Sequence, residues 1–352
     1  VPDCNRRPIM ISIRGEDRFD ETKLAAWLES HVDGFAGPLT TSRFKGGQSN
    51  PTYRLDTPGH SYVLRRKPMG KLLAGAHAVD REARVQQALA STGFPVPKVH
   101  ALCTDDEIVG SWFYVMDFVE GRIFWDPTLP AVEPAARRRY FDAMNETIAR
   151  LHSVDYSAIG LTDYGKPGDF FSRQITRWSR QYLGDVEAGR DVHMDKLIDW
   201  LPANIPAGNE SCLTHGDFRI DNMIFRPTEP RVIAVLDWEL STLGHPLADF
   251  AYHLLMYRMP PGMLASLAGA DLSALDIPTE TESIDAYCRR TDRVSIPHID
   301  FFIVFNLFRL AAILHGIRGR IARGNAASAQ AERTAAAMPV LSELAWRLAG
   351  QT

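Results

Sequence analysis

One ten-residue string constrains this chain more than any other: Leu213-Thr-His215-Gly216-Asp217-Phe-Arg219-Ile-Asp221-Asn222. It opens a β-rich island, Leu213 to Asp237, inside a half of the chain that otherwise reads as helix. Within the island, Met223 to Phe225 and Val232 to Leu236 read as two short strands around the turn Arg226-Pro-Thr-Glu-Pro230. The second strand runs into Leu236-Asp237-Trp238-Glu239, so a carboxylate stands where an apolar strand ends.

Upstream the pattern is mixed. Asp20 to His31 reads as a helix, with Leu24, Trp27 and Leu28 on one face. Arg43 to Leu55 and Ser61 to Lys67 are strand-like, joined by a turn at Thr57-Pro58-Gly59, and they flank the pair Gly46-Gly47. Val79 to Ala90 reads as a helix stopped by Gly93 and the prolines Pro95 and Pro97. Trp112 to Val119 is a strand of aromatic and β-branched residues ending at Gly121. Beyond it, Tyr140, Met144, Ile148 and Leu151 recur at helical spacing, and helices resume at Pro246 after the island. The expected architecture is α+β: a small sheet-bearing lobe over residues 1–118 and a larger, mainly helical lobe over residues 119–352.

Composition excludes several classes. Across 352 residues, 39 Lys and Arg face 43 Asp and Glu, so no global positive field recruits nucleic acid or an anionic membrane. The four cysteines, Cys4, Cys103, Cys212 and Cys288, are scattered, without the C-x-x-C pairs of a zinc or redox site. The apolar stretch Phe301 to Leu314 is shorter than the ~20 residues of a membrane span and carries Arg309, so it reads as a buried helix. Residues 1–10 have no apolar signal core. A soluble, cytoplasmic protein is expected.

The island carries the chemistry. Phosphoryl transfer asks a protein for little covalent work; it needs a carboxylate for the acceptor hydroxyl, oxygen ligands for magnesium and cations at the phosphates. Asp217 and Asn222 have the five-residue spacing of the catalytic Asp and metal-binding Asn in a kinase catalytic loop, and Asp237 offers a second carboxylate to the same ion. His-Gly-Asp-x-x-x-x-Asn followed by Asp-Trp-Glu resembles the signature of the aminoglycoside phosphotransferase and choline kinase superfamily, over a span from about Arg43 to the His315 region. The resemblance implies a protein-kinase-like, two-lobed fold. It makes Asp217 the catalytic base and Asn222 and Asp237 the magnesium ligands. Arg219 matches the position of the lysine that protein kinases aim at the transferring phosphate. Asp249, in Gly244-His245-Pro246-Leu-Ala-Asp249, is expected to bond the catalytic-loop backbone, with His245 standing in for an aspartate.

The first half supplies the nucleotide parts. Phe44-Lys45-Gly46-Gly47-Gln48-Ser49-Asn50 resembles the family's nucleotide loop, in which small residues let backbone N–H groups approach phosphates. No G-x-x-x-x-G-K-[ST] occurs, which excludes a P-loop NTPase. Val63-Leu64-Arg65 resembles the phosphate-binding strand of protein kinases, with Arg65 in place of lysine. Glu82, in Arg81-Glu82-Ala83, is then its expected ion-pair partner. Strand alternation turns Arg66 to the other face, where it is expected to carry little. The segment Phe113 to Gly121 resembles the lobe connection that receives adenine, with Met116 lining the pocket and the Asp117 carbonyl and Val119 N–H meeting the base.

The resulting expectation is an enzyme using ATP and Mg²⁺ to phosphorylate a hydroxyl of a small molecule. The string from His215 to Phe225 is similar to the kinase-like domains fused to some acyl-CoA dehydrogenases, which implies a hydroxyacyl acceptor or its CoA thioester. An aminoglycoside or amino-alcohol acceptor is the alternative, and a regulatory pseudokinase a further one. A hydrolase is excluded, since no G-x-S-x-G is present.

Overall fold

Asp20 ends an extended stretch, and its carboxylate accepts from the N–H groups of Thr22 and Lys23, so the first helix starts at Glu21. The computed structural model describes residues 10–11, 13, 18–44, 50–69, 77–263, 265–324 and 329–351. In chain order the early elements are β1 (Met10–Ile11), α1 (Glu21–His31), β2 (Thr40–Phe44), β3 (Thr52–Asp56), β4 (Ser61–Arg66), α2 (Val79–Ala90), β5 (Val99–Cys103), α3 (Asp106–Val109) and β6 (Phe113–Asp117). Then follow α4 (Pro134–His152), α5 (Phe170–Gly184), α6 (Val192–Ala203), β7 (Cys212–Thr214), β8 (Met223–Phe225), β9 (Val232–Val235) and β10 (Thr242–Gly244). The chain closes with α7 (Pro246–Arg258), α8 (Glu280–Arg290), α9 (Ile299–Ala322), α10 (Ala329–Ala336) and α11 (Met338–Ala349).

Two compact units result. One holds Val1–Tyr164, Arg219–Ser241 and Gly269–Thr279; the other holds Gly165–Phe218, Thr242–Ala268 and Glu280–Thr352. The chain passes from the second to the first between Phe218 and Arg219, within the His-Gly-Asp string itself.

The first unit is built on an antiparallel sheet of order β1-β2-β3-β4-β6-β5. Alternation sends Tyr62 and Leu64 into a core with Leu24 and Leu28 of α1, and Val63 to the opposite face against Val79 and Ala83 of α2. Arg65 follows Val63 to the α2 face. The stretch read as one strand from Arg43 to Leu55 is two, β2 and β3, paired antiparallel with Arg43 opposite Tyr53. The chain reverses between Phe44 and Thr52, and Gly46, Gly47, Gln48 and Ser49 lie outside the described residues.

Arg66 requires a correction. It does face away from Arg65, yet it is fully buried, at 0% exposure. Its Nη1 donates to the Val109 carbonyl at 2.6 Å, and its guanidinium lies over the rings of Tyr53 and Phe19. The face it points to is the one α1 covers, so a residue expected to matter little is a core element.

The partition does not follow the sequence boundary at Phe118, because the β8–β9 hairpin and α4 group with the sheet. Gly121 makes this possible: a Cβ there would stand 2.3 Å from Ile224 Cγ2 and 2.4 Å from the Phe225 carbonyl. Arg122 and Phe225 exchange backbone hydrogen bonds at 2.8 Å beside it.

In the second unit β7 pairs with β10, and α7 is buried along nearly its whole length. His245 caps α7 with its ring, Nδ1 accepting from Leu247 N–H. At 24 residues α9 is longer than the apolar stretch suggested, and by length and composition it could cross a membrane. Phe301, Phe302, Phe305 and Phe308 are among its side chains buried in this unit, and Phe171 of α5 packs on three of those rings. Cys103, Cys212 and Cys288 are buried free thiols.

Candidate active site

In the first unit a single guanidinium gathers three carboxylates. Arg65 at the end of β4 lies 2.8 Å from Glu82 of α2, as an ion pair rather than an aligned hydrogen bond, and donates to Asp237 at 2.6 Å and Glu239 at 3.4 Å. Burial works against the Arg65 charge, but Glu82, Asp237 and Glu239 outweigh it and raise its pKa above the ordinary value.

Glu82 is 1% exposed and held from three sides. Besides Arg65, it accepts from the Asn50 amide at 2.7 Å and the Tyr114 hydroxyl at 3.2 Å. Gln86 of the same helix donates to Tyr114, and the His77 ring meets the far side of the Asn50 amide. Burial pushes the Glu82 carboxyl up to about 7; Arg65 opposes that shift, while Asp237 and Glu239 add to it.

Asp237 caps the chain just past β9 with a left-handed backbone, φ 64°. Such a conformation costs a non-glycine residue on the order of 1–3 kcal/mol unless its surroundings impose it. Asn222 stands just before β8, and its carbonyl accepts from Leu236 N–H at 2.8 Å, so the hairpin sets Asn222 beside the Leu236-Asp237 step. Arg219 is paired with Asp221 at 2.6 Å. Met116 is buried with Val63, Val79, Ala83 and Val99, while Asp117 and Val119 are part-exposed where β6 ends.

This cluster fits magnesium. Its donors are hard oxygens, and even with the buried Glu82 carboxyl pushed up to about 7, Asp237 and Glu239 outnumber the single guanidinium, an excess of negative charge that a divalent ion would balance. A concavity of about 630 Å³ elsewhere in the unit is lined by Met10, Phe19, Glu21 and Thr41 and contains none of these residues.

The second unit carries Asp217 and its supports. Asp249, buried on α7, accepts from His215 N–H at 2.7 Å and Gly216 N–H at 2.8 Å, as the motif led us to expect. Gly216 has φ 84°, which a side chain would oppose, and its carbonyl accepts from Arg309 of α9 at 2.7 Å. Asp217 N–H donates to the His215 ring, and the Tyr252 hydroxyl donates to Asp217 Oδ1 at 2.5 Å. Loop and carboxylate are thus both fixed from α7.

Sequence reasoning missed Asn50, Tyr114, Glu239, Tyr252 and Arg309. Two of them left a signal: Tyr252 lies three residues after Asp249, on the same helical face, and Arg309 is a charge inside an apolar helix.

A model of the phosphotransferase enzyme family matches residues 40–284, a span that includes every site residue named above except Arg309. The chain belongs to that family. Acyl-CoA dehydrogenase family member 10 of Mus musculus is 42% identical over 347 residues, covering 98% of this chain and 32% of the relative. Across the curated relatives the chain spans about a third to just under half of their length. A Ralstonia eutropha JMP134 protein assigned to the aminoglycoside phosphotransferases is 48% identical, with a TM-score of 0.87 and coverage of 95% of this chain and 99% of that one. The aminoglycoside phosphotransferase APH(4)-Ia in complex with AMP-PNP and hygromycin B shares the fold at 16% identity, with a TM-score of 0.61 and coverage of 93% and 98%. The phosphotransferase thus has the kinase-like α+β fold.

Proposed function

We propose that this phosphotransferase moves the γ-phosphate of ATP, with Mg²⁺, onto a hydroxyl of a small molecule oriented by Asp217. The observation that carries the reading is Arg65 joining Glu82 to Asp237, because it links a phosphate-binding strand, its helix partner and the Asp-Trp-Glu motif in one charge cluster. Asn222 and Asp237 would hold magnesium, which when bound supplies positive charge at the phosphate oxygens. Asp217 accepts the acceptor's proton as its oxygen bonds to the γ-phosphorus and the bridging P–O bond to ADP breaks. Tyr252 keeps the Asp217 carboxylate turned for that task. Arg65 binds phosphate oxygens, and the backbone of Asp117 and Val119 receives adenine.

A hydroxyacyl compound or its CoA thioester is the acceptor we favour. The mouse relative bears an acyl-CoA dehydrogenase name, and on α5 Arg173, Arg177 and Arg180 line a concavity of about 450 Å³, which suits an anionic acceptor better than a polycation. The name of the Ralstonia protein keeps an amino-sugar acceptor as the second reading.

ADP release should be measured with Mg²⁺ and ATP against hydroxyacyl-CoAs, amino sugars and amino alcohols. Turnover that Asp217→Asn abolishes, with nucleotide binding retained, is the expected result. Nucleotide binding without turnover on any acceptor would point instead to a regulatory pseudokinase.

A further inference from the structure

At one end of the first unit's sheet, three neighbouring strands bring two imidazoles and a carboxylate together. His60 leads into β4, His100 lies in β5, and Asp117 ends β6, which runs between those two strands. His100 Nε2 lies 2.6 Å and His60 Nε2 3.0 Å from the same oxygen, Asp117 Oδ1. All the donor atoms fall within 4.8 Å of one another. The β5–β6 register slips between Val99 and Ala101, so a bulge falls at His100 itself. Bulges re-aim a side chain, and this one turns His100 toward Asp117.

We propose that His60, His100 and Asp117 bind a transition-metal ion of the zinc type. The donor set separates this site from the phosphotransfer site: imidazole nitrogens suit zinc, cobalt and nickel, whereas Asn222 and Asp237 offer only the oxygens that magnesium prefers. Metal bonds of ~2.0–2.1 Å at tetrahedral angles hold donor atoms about 3.3 Å apart, so the His60 contact, at 3.0 Å, would open by about 0.3 Å and the His100 contact, at 2.6 Å, by about 0.7 Å. The Tyr62 ring, 4.4 Å from the His60 ring and 5.3 Å from the His100 ring, walls one side. Side-chain exposures of 47% for His60, 29% for Asp117 and 10% for His100 leave the His60 side open for entry and for a water as fourth ligand. An ion here would cross-link β4, β5 and β6.

A plain hydrogen-bonded tie would use the same three residues, so binding itself must be measured. Tag-free, chelator-treated protein is titrated with Co²⁺, followed by its visible d–d absorption, and melted with and without Zn²⁺. One equivalent of Co²⁺ with tetrahedral bands, and a melting temperature raised by Zn²⁺, are expected. His60→Ala sits on an exposed turn that tolerates truncation; it should weaken binding at least ~10-fold and remove the Zn²⁺ shift. Absence of Co²⁺ bands in the unmutated protein, or a Co²⁺ affinity left unchanged from it in both His60→Ala and His100→Ala, would overturn the proposal.

Discussion

The Arg65 guanidinium lies 2.6 Å from one Asp237 carboxylate oxygen, across 172 residues of sequence, while also pairing with Glu82. A cation expected to serve phosphates therefore also holds a carboxylate expected to serve magnesium. Nucleotide and ion would compete for the two halves of this contact.

Arg65→Ala should accordingly raise the KM for ATP, lower kcat and destabilise the fold, because the one cation joining Glu82, Asp237 and Glu239 is lost. Glu82→Ala should show a weaker form of both defects. In the double mutant the loss should be clearly less than the sum, since the attraction between the two side chains is then lost only once. Urea unfolding and steady-state kinetics measure both; strict additivity would mean that the two are not coupled.

Arg66→Ala should behave in the opposite way. Its loss removes a buried hydrogen bond and the packing on Tyr53 and Phe19, for about 2–4 kcal/mol of stability, with the KM for ATP unchanged. A raised KM with normal stability would place the phosphate-facing side of β4 on the wrong residue.

The contrast between these two arginines shows how far the sequence could be read. The spacing of Asp217, Asn222 and Asp237 is legible because the chemistry fixes it along one short stretch of chain. Alternation along β4 separates Arg65 from Arg66 correctly. That the Arg66 face is sealed by α1 and by the end of α3 depends on residues 35 to 45 positions away, which no local pattern records. Glu82 is similar: its helix was read to its ends, but Asn50 and Tyr114, each 32 residues distant, complete its cage. β5 escaped notice because five residues, Val99 to Cys103, close behind two prolines, carry too little periodicity to stand out.

Tyr252→Phe keeps the ring and removes only the hydroxyl that donates to Asp217. A hydrogen bond to a carboxylate is worth about 1.5–3 kcal/mol, so kcat should fall roughly tenfold or more if the bond orients the base. The KM for ATP and the melting temperature should barely move. An unchanged kcat would mean that Asp217 keeps its orientation without help from α7.

The pH dependence of folding should contain two opposed contributions. Glu82 is raised from 4.5 to about 7 in the folded protein, so between those values the folded state holds a proton that the unfolded chain has released. Its stabilising effect is full below pH 4.5 and is lost as pH rises toward 7. His253, buried beside Phe218 on α7, is shifted by burial the other way, from 6.5 down to about 4. In that window the unfolded chain binds the proton, so its effect makes stability grow as pH rises. Each slope approaches about 1.4 kcal/mol per pH unit, and the two overlap between 4.5 and 6.5. Asp117, Asp163 and Asp185 are shifted below the ordinary carboxylate value, so they act at lower pH than this overlap. The unmutated protein should therefore show a nearly flat urea-unfolding free energy across the overlap. Glu82→Gln should uncover a rise with pH, and His253→Gln a fall. Were both variants to keep the flat profile, neither group would be titrating as its burial dictates.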